Sequence, residues 1–269
     1  MVLHLLDFTL CRVTSTKRKQ GLNALRLPHF VVNMRKLSVI IPTLNEEKYI
    51  KSALETLAKQ TYKNLESIVK DGISTDNTVE IAEEYADLVV SQKDASIGDA
   101  RNQGAKHAKG DVLVFLDADT TLDKNALELI AEDFNQYDIV LLLPKYGLRE
   151  EDTRLISRTR RQVGRFMVGF ENFWRKYVDK FCGGMFMPVD SYAFKRVGGF
   201  DRRVRCCEDI ELSYRLRKVG TVLSDYRVKA YFSFRRFILS GYVKTLHNYG
   251  LNALRMHLHL LQPEFESFR

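Results

Sequence analysis

From Leu37 onward, short apolar runs alternate with segments whose apolar residues recur at helical spacing. Leu37 to Ile41 is an apolar run closed by Pro42, the pattern of a strand buried on both faces. Asn45 and Glu46 then open a helical pattern in which Ile50, Ala53, Leu54 and Leu57 share one face. A strand at 65–69 follows, and then a helix from about Asp76 that buries Val79, Ile81, Ala82 and Tyr85. The series continues with a strand at 86–90, a helix at 97–108, a strand at 112–116, a helix at 125–134 and a strand at 139–143. Such alternation predicts a mainly parallel α/β sheet covered by helices on both faces. Right-handed crossovers gather the loops that follow the strands at one edge, where open α/β sheets bind ligands. That rule selects Pro42 to Glu46, Asp71 to Thr78 and Asp117 to Thr120.

The second half reads differently. Arg154 to Phe181 is a long basic and aromatic stretch. Its Phe166, Phe170, Phe173, Trp174 and Tyr177 fall at helical spacings and read most simply as a core face. A second reading makes them an acceptor platform or a face dipping into a membrane surface beside the arginines. Gly183-Gly184 precedes a short strand, Met185 to Met187, and a helix at 191–196 leads to Gly198-Gly199-Phe200-Asp201. An acidic cluster opens a helix at 209–218, and the tail from Ile238 to Leu261 reads as an amphipathic helix.

Composition narrows the picture. The 269 residues are 45% hydrophobic, enough for a sizeable core. A net charge of +8 suits anionic partners such as nucleotide phosphates, nucleic acid or an acidic lipid surface. The four cysteines, Cys11, Cys182, Cys206 and Cys207, form neither a disulfide framework nor a metal-ligand spacing, which fits a reducing, cytoplasmic setting. No run reaches the roughly 18 to 20 apolar residues of a spanning helix. Residues 1–33 show no periodicity, so they read as an extension dispensable for folding and activity, or Met34 as the true first residue.

The chemistry concentrates in a few segments. Val112 to Leu116 delivers Asp117 and Asp119 to the ligand edge. In an extended segment, side chains at i and i+2 point the same way and could converge on one ion. Carboxylate oxygens suit Mg²⁺ or Mn²⁺, which commonly complete their shell with substrate phosphates. The bland reading of this pair is a cap for the next helix. Asp71 ends a strand as an acceptor for a base N–H or a ribose hydroxyl, with Gly72 allowing the turn and Ser74 or Asp76 able to cap the next helix. Glu208-Asp209-Ile210-Glu211 is either an acidic helix start complementing the dipole or a like-charge cluster whose pKa is raised toward general-base work. The histidines form no metal set: His257 and His259, two apart on a helix, face different ways.

Pro42-Thr43-Leu44-Asn45-Glu46, Asp71 to Thr78, Gly98 to Gly104, Asp117-Ala118-Asp119 and Glu208 to Glu211 stand in an order that resembles the family 2 glycosyltransferases of GT-A fold. The resemblance covers roughly Leu37 to Arg236. It implies a catalytic domain at 37–236, with a nucleotide-sugar half at 37–143 and an acceptor half at 144–236. It would lie between an extension (1–36), expected to be poorly ordered, and an amphipathic tail (237–269). It also implies site roles. Pro42, Thr43, Asn45 and Glu46 would line the nucleotide pocket, Asp71 would contact the base, and Arg101 would approach the diphosphate. Asp117 would touch ribose or sugar and share the metal with Asp119, while Asp209, beside Glu208, would be the catalytic base. The partners implied are a nucleotide-diphosphate sugar, a divalent metal ion, and a glycan, protein or polyprenyl-phosphate acceptor, with peripheral membrane contact. Lys70 departs from the pattern, standing where relatives usually carry an apolar or acidic residue, and so bears on which base the donor carries.

Competing readings fare worse. A nicotinamide dehydrogenase would need a glycine-rich loop after the first strand, where this chain has Pro42 to Glu46. A nucleic-acid-binding protein fits the net charge, but no such motif is present and aspartates at one sheet edge would repel a phosphate backbone. A degenerate transferase that binds nucleotide sugar without turnover is the remaining alternative.

Overall fold

The computed structural model describes residues 34–154, 156–204 and 206–235. The expectations for residues 1–33, for the tail at 237–269 and for His257 and His259 lie outside these residues. Residues 34–36, expected within the extension, are tied to the body. Arg35 pairs with Asp190 at 3.0 Å, Lys36 with Glu66 at 2.6 Å, and the Lys36 carbonyl accepts from the amides of Asp111 and Val112.

The elements run β1 (Leu37–Thr43), α1 (Ile50–Ala58), β2 (Leu65–Asp71), α2 (Thr78–Tyr85), β3 (Leu88–Ser91), α3 (Ile97–Ala105), β4 (Val112–Leu116) and β5 (Thr120–Leu122). They continue with α4 (Ala126–Gln136), β6 (Ile139–Leu148), α5 (Glu150–Arg154), α6 (Arg158–Tyr177), β7 (Phe186–Asp190), α7 (Ser191–Arg196), α8 (Glu208–Leu216) and β8 (Thr221–Phe232). All eight strands join one sheet in the order β3-β2-β1-β4-β7-β6-β8-β5. The pairings of β1 with β2 and β4, β2 with β3, and β6 with β8 are parallel. Only β7 and β5 run against their neighbours. The mainly parallel sheet expected from the alternation is therefore present, with two reversed strands in its second half.

Side-chain alternation builds a core on each face. Val39, Ile41, Val112 and Val114 pack toward α1, α2 and α4, whereas Ile40, Leu113 and Phe115 pack toward α3, α7 and α8. Pro42 does not end β1, which continues to Thr43 along β2. Pairing with β4 stops at Ile40, so the proline sits where only one side needs a ladder.

Helix α6 corrects the sequence reading. The side turned to the sheet is Gly164, Val168, Asn172 and Arg175, not the aromatic residues. Asn172 exchanges two hydrogen bonds with the backbone of Tyr146, at 2.9 and 2.8 Å, and the Arg175 guanidinium lies 4.1 Å from the Tyr146 ring centre. Val163, Phe166, Phe170, Phe173, Trp174 and Tyr177 are between 41% and 74% exposed. Helical spacing revealed that these residues share a face; it carried no information on which way that face turns.

Close approach of α3 to β1 depends on Gly104. A Cβ there would lie 2.5 Å from Ile40 Cγ2. Gly104→Ala is expected to lower stability by about 1–3 kcal/mol from overpacking, outweighing a helix-propensity gain of about 1 kcal/mol. Urea unfolding checks this, and a midpoint equal to or above the parent's contradicts it.

Candidate functional site

The carboxyl edge of the sheet is where the charged side chains meet. There β1, β2 and β4 end, and β7, running the opposite way, begins: Leu116 pairs with Phe186, and the Asp117 amide bonds the Met185 carbonyl at 3.0 Å. The reversal of β7 thus brings Gly183 and Gly184 beside the end of β4.

At the centre is Arg101, projecting from α3 and only 2% exposed. It bonds Glu208 Oε1 at 2.6 Å, Asp117 Oδ1 at 2.8 Å and the Gly184 carbonyl at 3.0 Å, and its guanidinium lies 5.4 Å from the Phe200 ring centre. A Cβ on Gly184 would fall 2.6 Å from an Arg101 nitrogen, so only glycine admits the approach. Burial alone would lower the Arg101 pKa, but Asp117, Glu208 and Asp209 outweigh it and hold the guanidinium charged. Protein acceptors engage both terminal nitrogens, so within the protein Arg101 orients Glu208, Asp117 and the Gly184 backbone.

Glu208 and Asp209 occupy the first turn of α8, whose dipole favours acidic groups there. Glu208 is buried, while half-buried Asp209 accepts from the Gly184 amide at 2.5 Å and the Ile210 amide at 2.8 Å. Burial raises both carboxyls above their ordinary values; Arg101 pulls both down without cancelling it, and Asp117 adds to the rise of Asp209. The raised pKa expected from an acidic cluster is present, but its main cause is desolvation. Glu211 takes no part, pairing with Arg215 one turn on.

Asp117 and Asp119 are not in extended backbone. The Thr120 amide bonds the Asp117 carbonyl at 3.0 Å, closing a turn that sends the side chains to different partners. Asp117 meets Arg101; Asp119 Oδ2 lies 2.9 Å from Arg235 Nε. Arg235 also grips Glu46 with both terminal nitrogens, at 2.7 and 2.6 Å, and its guanidinium sits 4.4 Å from the Tyr49 ring centre. Arg149 donates to the Asp119 carbonyl at 3.4 Å. The loops after β1 and β4 are therefore joined through the end of β8. Sequence reasoning missed Arg235 because β8 itself went unrecognised, and it missed Arg149 and Tyr49 because neither stands in a motif.

Asp71 is fully buried, and its two oxygens accept from Thr43 Oγ1, Ser74 Oγ, Ser91 Oγ and the amides of Ile73 and Ser74. Five donors are about as many as a carboxylate's roughly four lone-pair sites can serve. The adjoining motif residues lace two loops together: Asn45 Oδ1 accepts from the Thr75 amide, and the amides of Asn45 and Glu46 donate to Ser74 and Thr78. The Lys70 ammonium lies at the carboxyl ends of β2 and β3. It is fully buried, bonds the carbonyls of Asp71 and Gln92, and lies 3.7 Å from Asp94. Burial lowers its pKa, against the pull of Asp94 and Asp71.

Asp119, with Asp117 two residues earlier, offers hard oxygens at the rim. Among the described residues no three His, Cys, Asp or Glu side chains gather as a closed cage. That donor set fits a divalent ion held by one or two carboxylates and completed by substrate phosphates.

A family model described as Glycosyl transferase family 2 matches residues 38–198. The chain belongs to that family. TarS of Staphylococcus aureus, a poly(ribitol-phosphate) beta-N-acetylglucosaminyltransferase, is 38% identical over 120 residues, covering 42% of this chain and 21% of TarS. The glycosyltransferase GlyA of Streptococcus pneumoniae is 30% identical over 116 residues, 41% of this chain and 17% of GlyA. A glycosyltransferase of Rickettsia typhi is 26% identical over 204 residues, 71% of this chain and 62% of its own length. The matched region thus spans less than two thirds of each relative. Among solved structures, a mannosyltransferase of Pyrobaculum calidifontis in complex with GDP-Man and Mn²⁺ superposes with a TM-score of 0.59 at 21% identity, covering 73% of this chain and 56% of that one. TarS 1–349 in complex with UDP-GlcNAc gives 0.56 at 25% identity, covering 74% and 58%. The fold is GT-A.

The Asp71 network generates a stability prediction. Burial raises its pKa, but the bonds from Ser74, Ser91 and Ile73 prevail and hold it below the ordinary 3.8. A depressed folded pKa gives stability that is present above the unfolded value and lost as pH falls through the folded one. Asp71→Asn, which sets an amide N–H₂ against these donors, should therefore cost about 1–3 kcal/mol at neutral pH. The difference from the parent should shrink below pH 3.8. Urea unfolding across pH measures both; a pH-independent difference contradicts the assignment.

Proposed function

We propose that the chain is an inverting, divalent-metal-dependent glycosyltransferase that moves a sugar from a nucleoside diphosphate to an acceptor hydroxyl or phosphate. What chiefly supports this reading is Asp209: on a family 2 chain, a half-buried carboxylate with a raised pKa stands at the rim that also carries Asp117 and Asp119.

In this scheme Asp119 would hold Mg²⁺ or Mn²⁺ against the donor's pyrophosphate, and Asp117 would join it only by turning from Arg101. The ion supplies charge stabilisation for the departing diphosphate. Arg235 and Arg149, placed about Asp119, add positive charge on the same side. Asp209 accepts the proton of an acceptor hydroxyl as its oxygen bonds the anomeric carbon. The bond from that carbon to the phosphate oxygen breaks with its electron pair leaving on the diphosphate, so one displacement inverts the centre. Arg101 and Glu208 are positioning residues: Arg101 fixes Asp117 and, through the Gly184 backbone, Asp209. Pro42, Thr43, Asn45 and Glu46 form the nucleotide side, with Asp71 acting through the loop it pins.

Two measurements test the scheme. Asp209→Asn should keep donor affinity while transfer to a hydroxyl falls by about 10²–10⁴-fold. Because the base works deprotonated, parental kcat/KM should fall as pH drops through a value above the ordinary 3.8, and the variant should lose that limb. Near-parental turnover in the variant removes Asp209 as base. Separately, Asp119→Ala should abolish the Mn²⁺-dependent part of donor binding in calorimetry. Unchanged donor affinity with Mn²⁺ counts against the metal assignment.

A further inference from the structure

The outward face of α6 has no role in the transfer scheme, and its chemistry is unusual for a solvated helix. At about 100° per residue, Val163, Phe166, Phe170, Phe173, Trp174 and Tyr177 fall within an arc of roughly 100°. The residues packed on the sheet, Gly164, Val168, Asn172 and Arg175, lie on the opposite side. The apolar stripe therefore points away from the protein. Exposed Arg158, Arg165 and Lys176 line one flank, and exposed Lys180 follows the helix end.

We propose that this face docks the protein on an anionic lipid bilayer, with α6 lying in the plane of the interface. Aromatic residues with a polar tip suit the headgroup boundary, and the basic flank complements acidic headgroups. The chain's net charge of +8 acts in the same direction. Antiparallel pairing of α6 with a second copy would bring the two basic flanks together, Arg158 of one near Lys176 of the other, a like-charge arrangement. Among the described residues no helix is long and apolar enough to cross the bilayer.

Docking here has a consequence for the site. Beyond its C-terminal end, α6 leads to Cys182, whose amide bonds Ser213 of α8, and then to Gly184, whose amide bonds Asp209. In its N-terminal half, Gly164 packs on Phe234, next to Arg235. A docked α6 thus holds both ends of the carboxylate rim close to the lipid surface, and the acceptor class this fits is a lipid-borne one. That last step rests on the transferase reading; the docking itself does not.

Trp174 is the sole tryptophan and sits on the stripe, so intrinsic fluorescence reports on it alone. The full chain is titrated with phosphatidylcholine vesicles and with vesicles in which about a third of the lipid is phosphatidylglycerol. The expected result is a blue shift with the anionic vesicles, weakened by salt and small with phosphatidylcholine alone. Phe166→Ser combined with Phe170→Ser should lower partitioning at least about tenfold while leaving circular dichroism unchanged, since both side chains are exposed. Absence of a shift with either vesicle overturns the proposal. So does emission that is already blue and vesicle-independent, which would mean that a second copy, another protein or another part of this chain covers the stripe. A chain that binds vesicles but transfers no sugar leaves docking standing and removes the transferase reading; one that transfers sugar and ignores vesicles does the reverse.

Discussion

The site depends on one buried cation. Arg101 is nearly inaccessible, and it joins the end of β4, the start of β7 and the start of α8 through Asp117, Gly184 and Glu208. Desolvating a guanidinium is costly, and the cost is offset only when its bonds are well made. Removing one partner of such a buried pair typically costs about 3–5 kcal/mol, because the remaining charge has neither water nor a counter-ion. The carboxylates around it are therefore fixed in place by the same bonds that hold its own charge.

Charge balance connects this hub to chemistry. One guanidinium faces three carboxylates, those of Asp117, Glu208 and Asp209, all of which favour its charged form. The rim keeps a surplus of negative charge. Such a surplus is relieved by a proton or by a metal ion, and a sugar transfer of the proposed kind uses both. A second cation, Arg235, does for Glu46 and Asp119 what Arg101 does for the other pair. Two arginines from distant parts of the chain thus set the spacing of the loops after β1 and β4 and the first turn of α8.

Much of this was legible in the sequence, for identifiable reasons. Strands β1, β4 and β6 carry apolar runs buried on both faces, and the loops after β1, β2 and β4 sit at the edge that the handedness of crossovers selects. The reading failed where the signal was weak or ambiguous. Strand β8 has charged Asp225, Arg227 and Lys229 among its twelve residues, and its clean alternation of buried positions begins only at Val228, with Ala230 and Phe232 following. Without β8 there was no reason to single out Arg235. The turn at Asp117 to Thr120 broke the assumption of extended geometry, and only the tertiary hydrogen bonds showed how many donors Asp71 already serves. For α6, periodicity located an aromatic face and assigned it to the interior, because amphipathic helices usually turn that face inward.

The contact between Gly184 and Arg101 bears on how this chain can change over generations. A side chain at 184 has no room while the guanidinium is in place, and the guanidinium cannot be lost while Glu208 and Asp117 need it. Positions 101, 117, 184 and 208, spread over more than a hundred residues, are therefore physically coupled: a substitution at one of them alone leaves a buried group unpaired or a clash that only matching changes at the others would relieve.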